Sequence, residues 1–199
     1  LLMICRILAG ILLIILFPIF LLIALAIFID DSSPVFFLQK RLGKKGQRFN
    51  ILKFRTMRNN SQQEKIRWKK NNPNLWQEYN KNNFKLKNDP RINRTGALLR
   101  KFSLDELPQL INIIKGEMTF IGPRPILLRE KTAYGKSFKI YKKLTPGITC
   151  LWQISGRSNT TFKKRIAYDR LYYQKKSLCL DFYILYKTIS VVLKTKGSF

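Results

Sequence analysis

The sequence predicts a mostly helical α+β protein with an N-terminal membrane segment, and three observations carry that expectation. Residues 7–29 form one apolar run with no charged side chain. Residues 34–57 read as a short β unit folded around a Gly43-Lys44-Lys45-Gly46 turn. The stretches 96–115, 126–145, 161–176 and 180–195 read as helices, the first with a break near Ser103.

The apolar run, ILAGILLIILFPIFLLIALAIFI, is long enough as a helix to cross a bilayer core of roughly 30 Å. It is too long for a typical signal peptide and lacks a small-residue cleavage site. A buried core helix is the alternative. Pro18, in the middle, removes a backbone donor and clashes with the preceding turn, so a kink is expected there. A kinked span and a hairpin that leaves by the leaflet it entered both satisfy these facts. Lys40, Arg41, Lys44, Lys45 and Arg48 follow closely and place that side in the cytoplasm. The chain thus divides into a membrane-embedded helix at 1–29, kinked at Pro18, and a cytoplasmic domain at 30–199.

In the β unit, Val35–Leu38 and Phe49–Met57 are the strand candidates. With period 2, Phe49, Ile51, Lys53 and Arg55 share a face. Two cations continuing an apolar face point either to an anion or to a solvated strand end. Residues 58–95 form a polar, partly helical excursion anchored by Trp68 and Trp76. The helix at 161–176 sets Lys163, Lys164, Arg165, Arg170, Lys175 and Lys176 beside Phe162, Ile166, Leu171 and Tyr172. Such a helix lies on a membrane surface or packs on the core.

The chain has 38 Lys+Arg, 11 Asp+Glu and no histidine, for a formal net charge of +27. That balance requires an anionic partner: nucleic acid, acidic lipid or a phosphorylated substrate. The missing histidine removes the commonest general base and metal ligand. Cys5, Cys150 and Cys179 have neither disulfide nor zinc spacing and read as reduced thiols. The chain begins at Leu1, which fits a longer natural sequence.

Among so few acids, the adjacent pair Asp105-Glu106 stands out. Ser103-Leu104-Asp105-Glu106 fits a capping box, which would assign Glu106 to the Ser103 amide and Asp105 to a first helical turn. The chemical reading differs: a carboxylate among cations stays ionised and can act as a nucleophile or hold a metal ion. Neighbouring helical side chains diverge by about 100°, so the two carboxylates have different tasks. Gly122-Pro123-Arg124-Pro125 follows, with prolines fixing φ on both sides of Arg124. A fixed guanidinium suits bidentate phosphate recognition, although a rigid turn with an exposed arginine has the same sequence. Arg100 is either a phosphate ligand or a helix-end cation. Arg157, in the Gly156-Arg157 turn, is a further phosphate-binding candidate. Asp169 and Asp181 read as surface helix acids paired with nearby lysines.

LKFRTM (52–57), FKLKNDPRI (84–92), SLDELPQL (103–110), IKGEMTFIGPRP (114–125), PGIT (146–149) and LWQISGRS (151–158) occur in order. Together they resemble the bacterial sugar transferases, the monotopic phosphoglycosyl transferases that act on polyprenyl phosphate. FKLKNDPRI and LWQISGRS look most like the undecaprenyl-phosphate galactose phosphotransferase branch. The resemblance implies a re-entrant hairpin at the N-terminus and a catalytic domain on the cytoplasmic face of the bacterial inner membrane. It implies transfer of sugar 1-phosphate from a UDP-sugar to undecaprenyl phosphate with Mg²⁺, through an aspartyl phosphosugar, in the first membrane step of surface polysaccharide or glycoconjugate synthesis. The family dyad then falls on Asp105 and Glu106, which would also hold the metal. Its phosphate-binding cations fall on Arg124, Arg100, Lys53 and Arg55. The chain departs from the family where Phe17 precedes Pro18, Thr145 precedes the PGIT segment and Cys150 follows it. Members of the galactose branch often carry an extra membrane bundle ahead of this region.

The implied partners are a UDP-sugar, polyprenyl phosphate and an anionic bilayer, with no nucleic acid; the oligomeric state is left open, a homodimer included. Two other classes compete. A nucleic-acid-binding protein fits the charge, but no helix-turn-helix, RNP-like or zinc pattern accompanies it. A basic membrane adaptor fits the apolar run, but has no use for an acid pair beside a rigid arginine turn.

Overall fold

The computed structural model describes residues 2–32, 34–81, 86, 88–156 and 160–194. The architecture is α+β and mostly helical, with two two-stranded sheets. Helices α1 (Leu2–Ile15) and α2 (Phe17–Asp31) meet at 62°. The break falls at Leu16, two residues ahead of Pro18. Pro18 sits in the first turn of α2, where its missing N–H leaves no bond unmade and its ring ends the preceding helix. Among the described residues no single helix is long and apolar enough to cross a membrane; the bent pair together passes on length and composition.

One face of the pair is packed. Ala9 joins Ile51, Leu110, Ile113 and Met118, while Phe20, Ile23 and Ile27 join Phe54 and Leu99. The opposite face is bare: Ile4, Ile14, Ile15, Leu22 and Ile29 are each more than half exposed.

Strands β1 (Phe36–Leu42) and β2 (Arg48–Phe54) pair antiparallel from Phe36↔Phe54 to Leu42↔Arg48. Both lie shifted from the sequence expectation, β1 running four residues further and β2 ending three residues sooner. The turn between them needs positive φ at Lys45 and Gly46.

The polar excursion is two helices, α3 (Ser61–Asn71) and α4 (Pro73–Lys81), whose Trp68 and Trp76 both pack on Tyr79. Arg91 stacks over Trp68 and Tyr79 and is paired with Asp89 at 2.6 Å. Helix α5 (Arg94–Lys101) is capped by Asn93, whose side chain accepts from the Gly96 amide.

A 3-10 turn at Leu104–Glu106 leads to α6 (Gln109–Ile114), and the break near Ser103 is present. Then come β3 (Thr119–Ile121), α7 (Lys131–Tyr134), α8 (Phe138–Tyr141), β4 (Gly147–Thr149), α9 (Leu151–Ile154), α10 (Phe162–Lys175) and α11 (Leu178–Leu193). The expected helix at 126–145 is therefore short helical pieces. β3 and β4 pair in parallel, Thr119↔Gly147 and Ile121↔Thr149.

The C-terminal helices pack through Leu144, Leu151, Tyr172 and Ile184. Asp169 and Asp181 are buried, correcting their reading as surface acids. Asp169 accepts the Tyr134 hydroxyl and Asp181 the Tyr172 hydroxyl, each at 2.7 Å. Of the charged groups on α10, Arg165 also turns inward. The bare apolar surface lies instead on α11, where Leu178, Phe182, Tyr186, Ile189 and Leu193 are each more than 60% exposed.

Candidate active site

The acid pair sits where the chain changes direction between α5 and α6. Ser103 adopts a left-handed conformation (φ 57°), and its side chain caps nothing. The capping box expected from the sequence does not form. A charge-assisted contact to a cation outcompetes a backbone amide for Glu106, and the cations are within reach. Lys53 Nζ donates to Glu106 Oε1 at 2.7 Å and Arg124 Nη2 donates to the same oxygen at 3.1 Å.

Lys53 reaches Glu106 from β2, so the shared face of that strand does meet an anion. Asn112 sets this register. From α6 its Oδ1 accepts from the Leu52 amide (3.0 Å), while its Nδ2 donates to the Asn50 carbonyl (2.8 Å). The strand edge is thereby tied to the helix that follows the dyad. Sequence reasoning missed Asn112; the signal was an amide set within the apolar run of LINII. Arg55 lies beyond the strand, and its Nε donates to the Pro34 carbonyl at 2.7 Å. Arg100 is held by Thr56 Oγ1 at 2.9 Å, with Asp105 within Coulombic range. Arg157 lies outside the described residues.

The two carboxylates differ electrically. Burial alone would raise Glu106, but Lys53 and Arg124 outweigh it and hold its pKa well below the usual carboxylate range. Asp105 is pushed up: burial dominates, Glu106 adds its charge, and Lys53 is further off at 3.7 Å. Among the described residues Asp105 accepts no hydrogen bond, although Lys53, Arg100 and Arg124 all attract it. One acid is thus a fixed anion and the other a carboxylate with free lone pairs.

The Arg124 turn is rigid for reasons beyond its prolines. The Gly122 amide donates to the Thr149 carbonyl at 3.0 Å and the Gly147 amide to the Pro123 carbonyl at 3.1 Å. A Cβ on Gly147 would lie 2.2 Å from the Gly122 nitrogen, so this approach demands glycine. That explains physically why a Gly-Pro-Arg-Pro segment is accompanied by a Pro-Gly-Ile-Thr segment. Two more arginines, read from the sequence only as part of the chain's basic surface, hold the turn. Arg41 Nη1 donates to the Pro125 carbonyl at 3.0 Å and Arg165 Nη2 to the Arg124 carbonyl at 3.1 Å. Arg41 is brought down to about 10 by burial and by the neighbouring Arg124 charge. Cys150, next to β4, is raised to about 12 by burial and donates to Gln153. It is therefore a protonated structural thiol, not a nucleophile.

The donor set can be tested against Mg²⁺. Carboxylate oxygens suit that ion, which binds through one or two carboxylates and completes its shell with water and substrate phosphates. Asp105 has oxygens free, and Glu106 Oε1 is already occupied by two cations. The described residues contain no group of three or more acidic, Cys or His ligands. The site fits a metal shared with a phosphorylated substrate, not a closed protein cage.

An acid with free oxygens is thus ringed by lysine and arginine beside an apolar helix pair. Comparison with known proteins then gives the class. The bacterial sugar transferase family matches residues 3–195, and the chain belongs to it. It is 42% identical over 182 residues to the exopolysaccharide production protein ExoY of Sinorhizobium fredii, covering 92% of this chain and 80% of that protein. It is 42% identical over 169 residues to an undecaprenyl-phosphate galactose phosphotransferase of Salmonella typhimurium, covering 85% of this chain and 35% of that one. A UDP-glucose:undecaprenyl-phosphate glucose-1-phosphate transferase of Xanthomonas campestris is 38% identical over 202 residues, 98% of this chain and 39% of its own length. In the last two the chain spans little more than a third of the relative.

Proposed function

We propose that the protein transfers a sugar 1-phosphate from a UDP-sugar to a polyprenyl phosphate at the cytoplasmic face of a bacterial membrane. The observation that carries this reading is the division of the dyad, with Glu106 fixed between Lys53 and Arg124 and Asp105 left with open lone pairs.

Asp105 Oδ attacks the sugar-bearing phosphorus of the diphosphate. The bond from that phosphorus to the bridging oxygen breaks, and its electron pair leaves on UMP. Lys53, Arg100 and Arg124 offset the charge that builds on the phosphoryl oxygens. An oxygen of polyprenyl phosphate then attacks the same phosphorus, the bond to Asp105 breaks, and the carboxylate is restored. Glu106 keeps Lys53 and Arg124 in place throughout both steps. When bound by Asp105 and Glu106 with the diphosphate, Mg²⁺ supplies further neutralisation of phosphate charge.

The lipid substrate explains the apolar surfaces. Helices of 14 and 15 residues are about 21–23 Å long, short of a bilayer core of roughly 30 Å. The arms, bent by 62°, both pack on the one domain, Ala9 with Ile113 and Ile23 with Leu99, which supports a re-entrant hairpin over a broken span, with its bare face in lipid. The exposed stripe of α11 rests on the same leaflet. A polyprenyl phosphate in that leaflet meets the dyad without leaving the membrane.

The related galactose and glucose transferases make galactose the first donor to try and glucose the second. The test is UMP release by membranes containing the protein, across a panel of UDP-sugars, with and without polyprenyl phosphate. Donor labelled in its sugar should leave label on the enzyme when the lipid acceptor is withheld. An enzyme that never acquires label, together with an Asp105→Asn variant that turns over normally, removes the mechanism.

A further inference from the structure

Arg165 is 6% exposed and cannot touch a diphosphate, yet it carries a full charge into the core. Its Nη2 donates to the Arg124 carbonyl, and its Nη1 lies 3.6 Å from Glu130 Oε1. Arg41 does the same from β1, one arm on the Pro125 carbonyl and the other on Gln39 Oε1. Each keeps a buried Nε with no hydrogen-bond partner in the described structure. Leaving a donor unmet is costly, and a neutral side chain could serve one carbonyl as well. A guanidinium adds two things: a rigid fork that ties the turn to a second element, and positive charge close to Arg124. Like charges close to Arg124 favour its side chain pointing away from them, and its guanidinium meets Glu106 at 3.1 Å.

We propose that Arg165 and Arg41 are positioning residues that aim Arg124 at the dyad: they clamp the carbonyls of Arg124 and Pro125 and repel the Arg124 guanidinium toward Glu106. This rests on the reaction proposed above. It makes α10, in the C-terminal part of the chain, a working part of a site that otherwise lies between β2 and the Arg124 turn.

A double-mutant cycle on kcat/KM for the UDP-sugar tests it, using the full chain in membranes. Arg165→Met should lower kcat/KM at least tenfold in the parent enzyme. In an Arg124→Ala background the same change should cost less than twofold, because the group it aims is gone. Arg165→Lys, which keeps charge and one donor, should recover activity to within threefold of the parent. Equal, additive losses in both backgrounds mean that Arg165 serves only stability, and the inference falls. Should Arg165→Met fail to reach the membrane fraction, Arg41→Met runs the same cycle from the Pro125 carbonyl, with the same two outcomes. A parent enzyme that releases UMP from no donor removes the proposed reaction itself, and this inference with it; additivity in an active enzyme removes the inference alone.

Discussion

Replacing each acid of the dyad by its amide should separate activity from stability, in opposite directions for the two residues. Glu106 is 14% exposed at its side chain and holds two cations at 2.7 and 3.1 Å. Glu106→Gln leaves Lys53 and Arg124 facing one another with no anion between them. Removing one member of a buried ionic group costs about 3–5 kcal/mol. In a chain of this length each kcal/mol moves the melting temperature by about 2–4 °C, so a fall of roughly 10 °C is expected. Asp105 is different. Its pKa is raised on folding, so the fold holds the proton more tightly than the unfolded chain does, and the ionised form detracts from stability above that pKa. Asp105→Asn removes a charge that the fold disfavours and breaks only a 3.7 Å contact to Lys53. Its melting temperature should stay level or rise, while UMP release falls by at least about a thousandfold, as for the loss of a covalent nucleophile. Thermal denaturation in one detergent, paired with UMP release, reads both quantities. The reasoning is refuted if the two amides lower the melting temperature equally, or if Asp105→Asn keeps more than a few per cent of activity.

Four further outcomes follow from the same coordinates. Lys53→Met removes a cation 3.7 Å from Asp105, an attraction of about 4 kcal/mol at the screened dielectric of a site near a protein surface, so the acid limb of the UMP-release profile should move to higher pH, and Lys53→Arg should move it back. Asp169 is raised from 3.8 to about 6 by burial, so its contribution to stability is complete below about pH 4 and lost as pH rises through 6; denaturant titrations should show a decline of about 3 kcal/mol over that window, flattened in Asp169→Asn. Gly147→Ala drives a Cβ to 2.2 Å from the Gly122 nitrogen and should cost more than about 3 kcal/mol along with activity, whereas Gly10→Ala, with nothing within 4 Å, should leave both intact. Phe182→Cys on α11 in a Cys179→Ser background, labelled with a solvatochromic probe, should give blue-shifted emission in vesicles, and water-like emission would remove α11 from the membrane surface, the α1–α2 pair holding the protein in lipid either way.

The sequence made local features visible wherever chemistry and chain geometry coincide. Pro18 announced the bend, the Gly43–Gly46 turn announced the hairpin, and scarcity of acids drew attention to Asp105 and Glu106. What escaped is what only tertiary contact creates. Ser103-x-x-Glu106 obeys a local rule, but the rule lost because Lys53, 53 residues earlier in the chain, offers Glu106 a stronger partner than an amide. Asp169 and Asp181 read as solvent-facing because lysines lie near both in the chain; the tyrosine hydroxyls that donate to them come from Tyr134 on α7 and Tyr172 on α10. Arg41 and Arg165 were two among 38 basic residues, and nothing in the neighbours of Arg41 marks it as buried. Periodicity on α10 held a clue. Phe162, Arg165, Asp169 and Tyr172 fall on one face, which asks why two charges sit in an apolar row.

That question leads back to the dyad. A basic chain that must handle a diphosphate beside a membrane needs cations that stay aimed when the substrate is absent. Surface lysines cannot do this, because they are mobile and screened. The solution here is to bury acids as counterweights: Glu106 for Lys53 and Arg124, and Glu130 and Asp169 for Arg165. Every such acid is committed to a cation or a tyrosine. Asp105 alone of the site's acids lacks a hydrogen-bond partner among the described residues, and burial raises its pKa where Glu106, beside it, is held low. A carboxylate left unsatisfied at the centre of an otherwise balanced network has its lone pairs free to form a bond to phosphorus, which is why Asp105, not Glu106, is assigned the attack.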